Sequence, residues 1–311
     1  MSVSVKDVVD ADRRISSYIR RTPVMEIDPG DLGIEWRGRL TLKLECLQHA
    51  GSFKPRGAFN SLLAQNVQQP VAAASGGNHG AAVAFAAQKL GLEATIFVPE
   101  ISSPAKIAKI RDTGCDLRVG GANYAEALAA CQAFQAETGA IDIHAYDAVH
   151  TIAGQGTVGL EWQEQCPDLD AVFIAAGGGG LIAGVGVACY TGPSVIGVEP
   201  EGAAAMHAAR EAGGPVKINV SSVAADSLGA TSIGRLNHDL IDSFVDDIAL
   251  VTDEAIIEAQ RRLWRSCGVA AEPGGAAALA ALISGRARVD SGAHIGVLVC
   301  GSNLDPSTLA S

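Results

Sequence analysis

AVFIAAGGGGLIAG, residues 171–184, joins an apolar run to four glycines and then to a second apolar run. Six apolar residues without alternation describe a strand buried on both faces, which is the habit of a parallel sheet. Four glycines then allow a tight turn, and LIAG opens a helix. The same unit recurs along the chain. LTLKLEC ending at Cys46, VAAAS (71–75), ATIFVP (94–99), SVIGVE (194–199) and HIGVLVC (294–300) read as further strands. Between them lie helical patterns such as HGAAVAFAAQKLG, NYAEALAACQAFQAETG and TVGLEWQEQC. Strands alternating with helices predict an α/β fold built from doubly wound parallel sheets with right-handed crossovers. The units at 71–91, 94–113 and 115–137 can form a subdomain of their own. The expected division is a small substrate-binding domain over residues 70–146 and a large domain made of 1–69 and 147–311. Residues 211–234 form the longest irregular stretch.

The 311 residues suffice for one large or two medium domains. Net charge is −11 with no basic block, so neither nucleic acid nor an anionic membrane surface is an expected partner. The start, MSVSVKDVVDADRRISSYIRR, reads as a charged amphipathic helix and not as a signal peptide. No apolar run approaches the roughly 18 residues of a membrane span. Seven cysteines, an odd and scattered set without a CxxC pair, argue against a disulfide framework or a structural zinc site. They fit small buried hydrophobes in a reducing cytoplasm.

Four features carry chemistry. Lys54 sits in GSFKPRGAFN (51–60), a segment otherwise built for close packing. A buried lysine tends to lose its charge, and a neutral amine is what imine chemistry requires. Gly177–Gly180 leave backbone N–H groups unobstructed at a helix start, a cradle for phosphate. The alternative is a dinucleotide fold. GxGxxG fails, because the sixth position is Ile182 counted from Gly177 and Ala183 counted from Gly178. Glu199, however, closes the next strand where a ribose-binding acid would lie. SGGNHG (75–80) offers Ser75, Asn78 and local N–H groups to a carboxylate; His79 taken alone reads more readily as structural than as reactive. Cys300 ends a strand, where it is either a core cysteine or a short polar group over the sheet's carboxyl edge. One amine, two anion cradles and one small polar group suit a phosphorylated, amine-linked cofactor that receives amino acids; pyridoxal phosphate meets that description.

Together these motifs resemble the fold type II pyridoxal-phosphate enzymes, in the branch of serine/threonine dehydratases and serine racemases. The resemblance spans nearly the whole chain: GSFKPRGA, SGGNHG, GANYAEA (121–127), IAGQGT (152–157), GGGG, VEPEG (198–202), VTDEAI (251–256), AEPGGAAALAAL (271–282) and VCGSNLD (299–305). It implies an internal Schiff base on Lys54, with Phe53 beside the ring. It implies phosphate held by Gly177, Gly178, Gly179, Gly180 and the Leu181 N–H, and Asn78 on the ring's 3-hydroxyl oxygen. Ser75, Gly76, Asn78 and His79 would form the substrate loop, and Cys300 would face the pyridine nitrogen. A homodimer is expected on the same ground.

Departures from the branch narrow the expectation. Sulfhydrylase and threonine synthase relatives follow the lysine with aspartate, whereas Pro55 and Arg56 follow it here. Racemases carry a serine where this chain has Gly76, so elimination is expected over racemisation. Metal-binding relatives pair a glutamate with an aspartate six residues on; Glu199 is present, but Ala205 replaces the aspartate, and no metal is expected. VCGSNLD lies near residue 311, leaving no regulatory domain after it, so feedback inhibition is not expected. The function implied is β-elimination of water from L-threonine or L-serine, with ammonia and a 2-oxo acid as products. A specialised 3-hydroxy amino acid (hydroxyaspartate, phenylserine or one derived from hydroxyectoine) is the alternative. Serine racemisation, NAD-dependent oxidation and non-enzymatic cofactor binding rank behind. His49, Ala50 and residues 225–234 are expected around the substrate side chain.

Overall fold

A computed structural model describes residues 2–309, apart from positions 103 and 287. Among the described residues ten strands run in chain order as β1 (Val24–Ile27), β2 (Leu40–Lys43), β3 (Val71–Ala74), β4 (Ala94–Val98), β5 (Asp116–Val119), β6 (Ile141–Asp142), β7 (Ala171–Ala175), β8 (Ser194–Pro200), β9 (Asp247–Val251) and β10 (Ile295–Leu298). They form two sheets. The larger has the order β1-β2-β10-β7-β8-β9 and the smaller β5-β4-β3-β6. Every pairing is parallel except β1 with β2. The apolar runs read from sequence are the central strands. All five residues of β7 are buried, as are those of β4 and all four residues of β2, β3 and β10.

Four strands escape the pattern: β1, β5, β6 and β9. All four are sheet edges, and β6 has only two residues. An edge faces water on one side, so VMEI and DLRV carry charge and lose the continuous apolar signature. The helix read as TVGLEWQEQC begins eight residues earlier, at Val149. The irregular 211–234 stretch holds the end of helix Ala205–Ala212 and a short helix at Ala225–Leu228. The N-terminal helix runs Val5–Ile15, with Ser4 and Asp7 forming a reciprocal cap and Val8, Ala11 and Ile15 turned inward.

One polar cluster lies within the core. Arg56, fully buried on helix Lys54–Ala64, donates to Glu45 Oε2 and Oε1 at 2.9 and 2.7 Å and to Glu161 Oε2 at 2.9 Å. Lys43 on β2 donates to Glu161 Oε1 at 2.5 Å. Two cations against two carboxylates leave no net buried charge, and their hydrogen bonds offset desolvation. The cluster fastens the start of helix Lys54–Ala64 to β2 and to helix Val149–Gln165. Among the described residues no helix is long and apolar enough to cross a membrane. All seven cysteines are free thiols.

Candidate active site

The carboxyl ends of the parallel strands carry the four chemical features singled out above. β2 leads through short turns to Lys54, β7 to Gly177–Gly180 and β10 to Cys300; β3 leads to Ser75–Gly80. Backbone bonds knit two of these loops together. The Phe53 N–H donates to the Cys300 carbonyl at 3.2 Å, and the Ser302 N–H to the Gly51 carbonyl at 2.9 Å.

A pocket between them is lined by Phe53, Lys54, Asn78, Gly177–Leu181 and Cys300, all expected from sequence. Ser75, Gly76 and His79 stand beside it rather than on its lining. Ser75 Oγ accepts from the Gly77 N–H at 3.2 Å. A Cβ on Gly76 would fall 2.2 Å from Ser102 Oγ, so close packing keeps this position bare. The His79 ring engages the Ile143 backbone, and burial, then the charge of Lys54, pushes its pKa down to about 3. It is therefore a neutral imidazole.

Lys54 is the first residue of helix Lys54–Ala64, with Pro55 in the first turn where its missing N–H costs nothing. The amine donates to the Ala145 carbonyl at 2.8 Å and lies 5.1 Å from the Phe53 ring centre. Burial pushes its pKa down to about 8. The positive end of its own helix works in the same direction.

The glycine loop is shaped from behind. Gly179 has φ +91°, where a side chain is strained, and a Cβ on Gly178 would sit 2.4 Å from the Tyr146 ring. Asn237 holds the loop by donating to the Gly178 carbonyl at 2.7 Å. Among the described residues, none of the N–H groups of Gly177–Leu181 donates to another group of the chain. Helix Gly180–Ala188 starts at that point, so unpaired donors and a helix dipole converge on one spot. A phosphate fits this cradle.

In and around the pocket lie groups that sequence reasoning passed over. Glu272 lines the pocket, is buried, and accepts from Asn78 Nδ2 at 2.5 Å. Burial pushes its pKa up to about 7. Asn303 Nδ2 donates to Asn78 Oδ1 at 2.6 Å. Both residues lie inside motifs quoted above, AEPGGAAALAAL and VCGSNLD, yet their spacing alone assigns them no task. Tyr146 lies in HAYDA, which carries no motif at all. The Cys300 thiol donates to the Gly274 carbonyl at 3.5 Å, and burial holds it far above its ordinary range, so it stays neutral.

Other expected residues lie apart. His49 and Ala50 line a wider, more open groove with Arg20, Arg21 and Lys109, and His49 stacks on Phe85 at 4.8 Å. Ser227 and Leu228, from the 225–234 stretch, do reach the Lys54 pocket. Glu199 spends both carboxylate oxygens on the Met206 and His207 N–H groups, at 2.7 and 2.8 Å, as a cap on helix Ala205–Ala212. The described residues contain no cluster of three or more metal-ligating side chains.

Comparisons with known proteins agree with this geometry. A phenylserine dehydratase from Ralstonia pickettii is 39% identical over 303 residues, covering 96% of this chain and 92% of the relative. An L-threonine ammonia-lyase from Thermotoga maritima is 35% identical over 97% of this chain and 76% of its own length. The solved structure of maize serine racemase superposes with a TM-score of 0.92 at 34% identity, covering all of this chain and 96% of that one. Residues 15–301 match the family described as pyridoxal-phosphate dependent enzyme, and the chain belongs to that family.

Proposed function

We propose that the chain is a dehydratase that removes water from a 3-hydroxy amino acid, with L-threonine and L-serine as substrates, giving a 2-oxo acid and ammonia. One observation carries the reading: the Lys54 amine, drawn toward its neutral form, lines one pocket together with an anion cradle and a neutral thiol. Pyridoxal phosphate bound through Lys54 supplies a sink for the electrons left when the Cα–H bond breaks. Gly177–Leu181 hold the phosphate, and the second amide proton of Asn78 serves the ring oxygen. Ser75, Gly76, Asn78 and His79 receive the substrate carboxylate, helped by the free N–H groups at the start of helix Asn78–Leu90. Lys54 takes the α-proton, and the β-hydroxyl leaves as water with a proton from the ammonium so formed; the released enamine turns to its imine, which water hydrolyses to the 2-oxo acid and ammonia.

Cys300 favours elimination. A thiol is a weak donor and leaves a ring nitrogen largely unprotonated, so a carbanion is poorly stabilised and prompt loss of a β-leaving group is favoured. Gly76 adds to this, having no side-chain proton for the opposite face. Residues 70–146 form the smaller, substrate-binding unit in this proposal, with 1–69 and 147–311 as the larger. Two copies pair as a homodimer, which sedimentation checks. The Ralstonia relative favours a second reading, an aromatic 3-hydroxy amino acid such as 3-phenylserine.

The test is a panel of L-threonine, L-serine, 3-hydroxyaspartate and 3-phenylserine, scored for 2-oxo acid release and for D-isomer formation. Release of 2-oxo acid from at least one, with little racemisation, is expected. A D-isomer as main product, or no release from any, contradicts the proposal.

A further inference from the structure

A chain of hydrogen bonds leaves the pocket through Asn78 and ends at Lys109, on helix Pro104–Arg111. The Lys109 amine donates to Asn303 Oδ1. Asn303 Nδ2 donates to the Ala50 carbonyl at 2.9 Å and to Asn78 Oδ1 at 2.6 Å. Asn78 Nδ2 donates in turn to Glu272 Oε1 at 2.5 Å. Four elements contribute one residue each: helix Pro104–Arg111, the loop after β10, the start of helix Asn78–Leu90, and the cap of helix Pro273–Ile283.

The direction of this chain matters, because a side-chain amide is nearly the same shape when turned by 180°, while its donor and acceptor exchange places. Glu272 fixes direction weakly, since a carboxyl whose pKa is near 7 can accept from Asn78 or donate to it. The Ala50 carbonyl, an acceptor only, draws the Asn303 nitrogen toward it, and Lys109 enforces the same sense from the other end of the amide. An ammonium carries three donors and no acceptor, so it requires the oxygen of Asn303. The Asn303 nitrogen must then face Ala50 and Asn78. The oxygen of Asn78 is thereby used, and its nitrogen faces the pocket with one proton on Glu272 and one to spare. The amine lies close over Gly51, where a Cβ would come within 2.5 Å of it.

We propose that Lys109, which lies outside the pocket, is a positioning residue that sets the sense of this chain and so presents an Asn78 amide proton to the cofactor. The proposal rests on the cofactor site described above but not on any choice of substrate. Its test reads cofactor binding, so an error about the substrate leaves the test intact.

The experiment removes the cofactor from wild type, Lys109→Met, Lys109→Arg and Asn303→Asp, then titrates each with pyridoxal phosphate, recording affinity, visible absorption and melting temperature. Lys109→Met is expected to bind about tenfold more weakly, with altered absorption and a nearly unchanged melting temperature, as for one lost charge-assisted hydrogen bond. Lys109→Arg, still a pure donor, restores most of the affinity. Asn303→Asp keeps the volume but can donate to neither Ala50 nor Asn78, and it loses at least as much as Lys109→Met. Wild-type affinity and absorption in Lys109→Met overturn the proposal, as does an arginine variant as weak as the methionine one. If Lys109→Met does not fold, Asn303→Asp decides alone, and wild-type affinity there overturns it.

Discussion

Lys54 shows how placement alone changes a side chain's chemistry. In water its amine would be an ammonium; burial lowers its pKa to about 8. An ammonium has no lone pair with which to take a proton, so activity should fall as pH drops through about 8 and level off above it. A profile of kcat, which reports the complex in which substrate has freed the amine, flat from pH 6 to 10 would contradict this. Lys54→Arg keeps the charge but neither links the cofactor nor titrates, and it should lose activity by about a thousandfold or more. Cys300→Asp tests the opposite wall. A carboxylate there would hold a ring nitrogen protonated and lengthen the life of a carbanion, so 2-oxo acid release should fall about tenfold while exchange of the α-proton persists. An unchanged rate would remove the thiol from the mechanism.

Among the elements, the glycine loop shows both what a sequence exposes and what it hides. Four glycines between a buried strand and a helix already read as a phosphate cradle, because that signal is local. The Tyr146 ring behind Gly178 was hidden, since it arrives from a segment some thirty residues earlier with no pattern of its own. Gly178→Ala would put a methyl group 2.4 Å from that ring. Overpacking of this kind costs roughly 1–3 kcal/mol, which should appear as cofactor binding weaker by about tenfold or more. Binding as tight as wild type would mean that the loop does not hold phosphate. Glu272 was hidden for a related reason. It reads as a helix cap before a proline, and only the approach of Asn78, 194 residues away, turns it into a pocket wall. Central strands were legible because burial on both faces leaves an unbroken apolar run, whereas the edges β1, β5 and β9 face water and carry charge.

At the scale of the whole molecule, one buried cluster ties the reactive lysine to the larger sheet. Arg56, two residues beyond Lys54, bridges Glu45 and Glu161, and Lys43 completes the balance. Arg56→Ala would leave these carboxylates facing one cation. It should destabilise the fold by about 3–5 kcal/mol, measured by urea unfolding. A loss below about 1 kcal/mol would make the cluster incidental. The cluster also explains why a positively charged residue belongs in a segment built for close packing: Arg56 is fully paired, and Lys54 is not meant to stay charged.

The most direct measurement is reduction of the purified enzyme with borohydride, followed by peptide mapping. Only an imine between a lysine and the cofactor is trapped, and the trapped mass should fall on the peptide that contains Lys54, with loss of the visible absorption band. A cofactor mass on any other lysine, or none on any peptide of an enzyme that binds pyridoxal phosphate, would contradict the placement of the chemistry at the start of helix Lys54–Ala64.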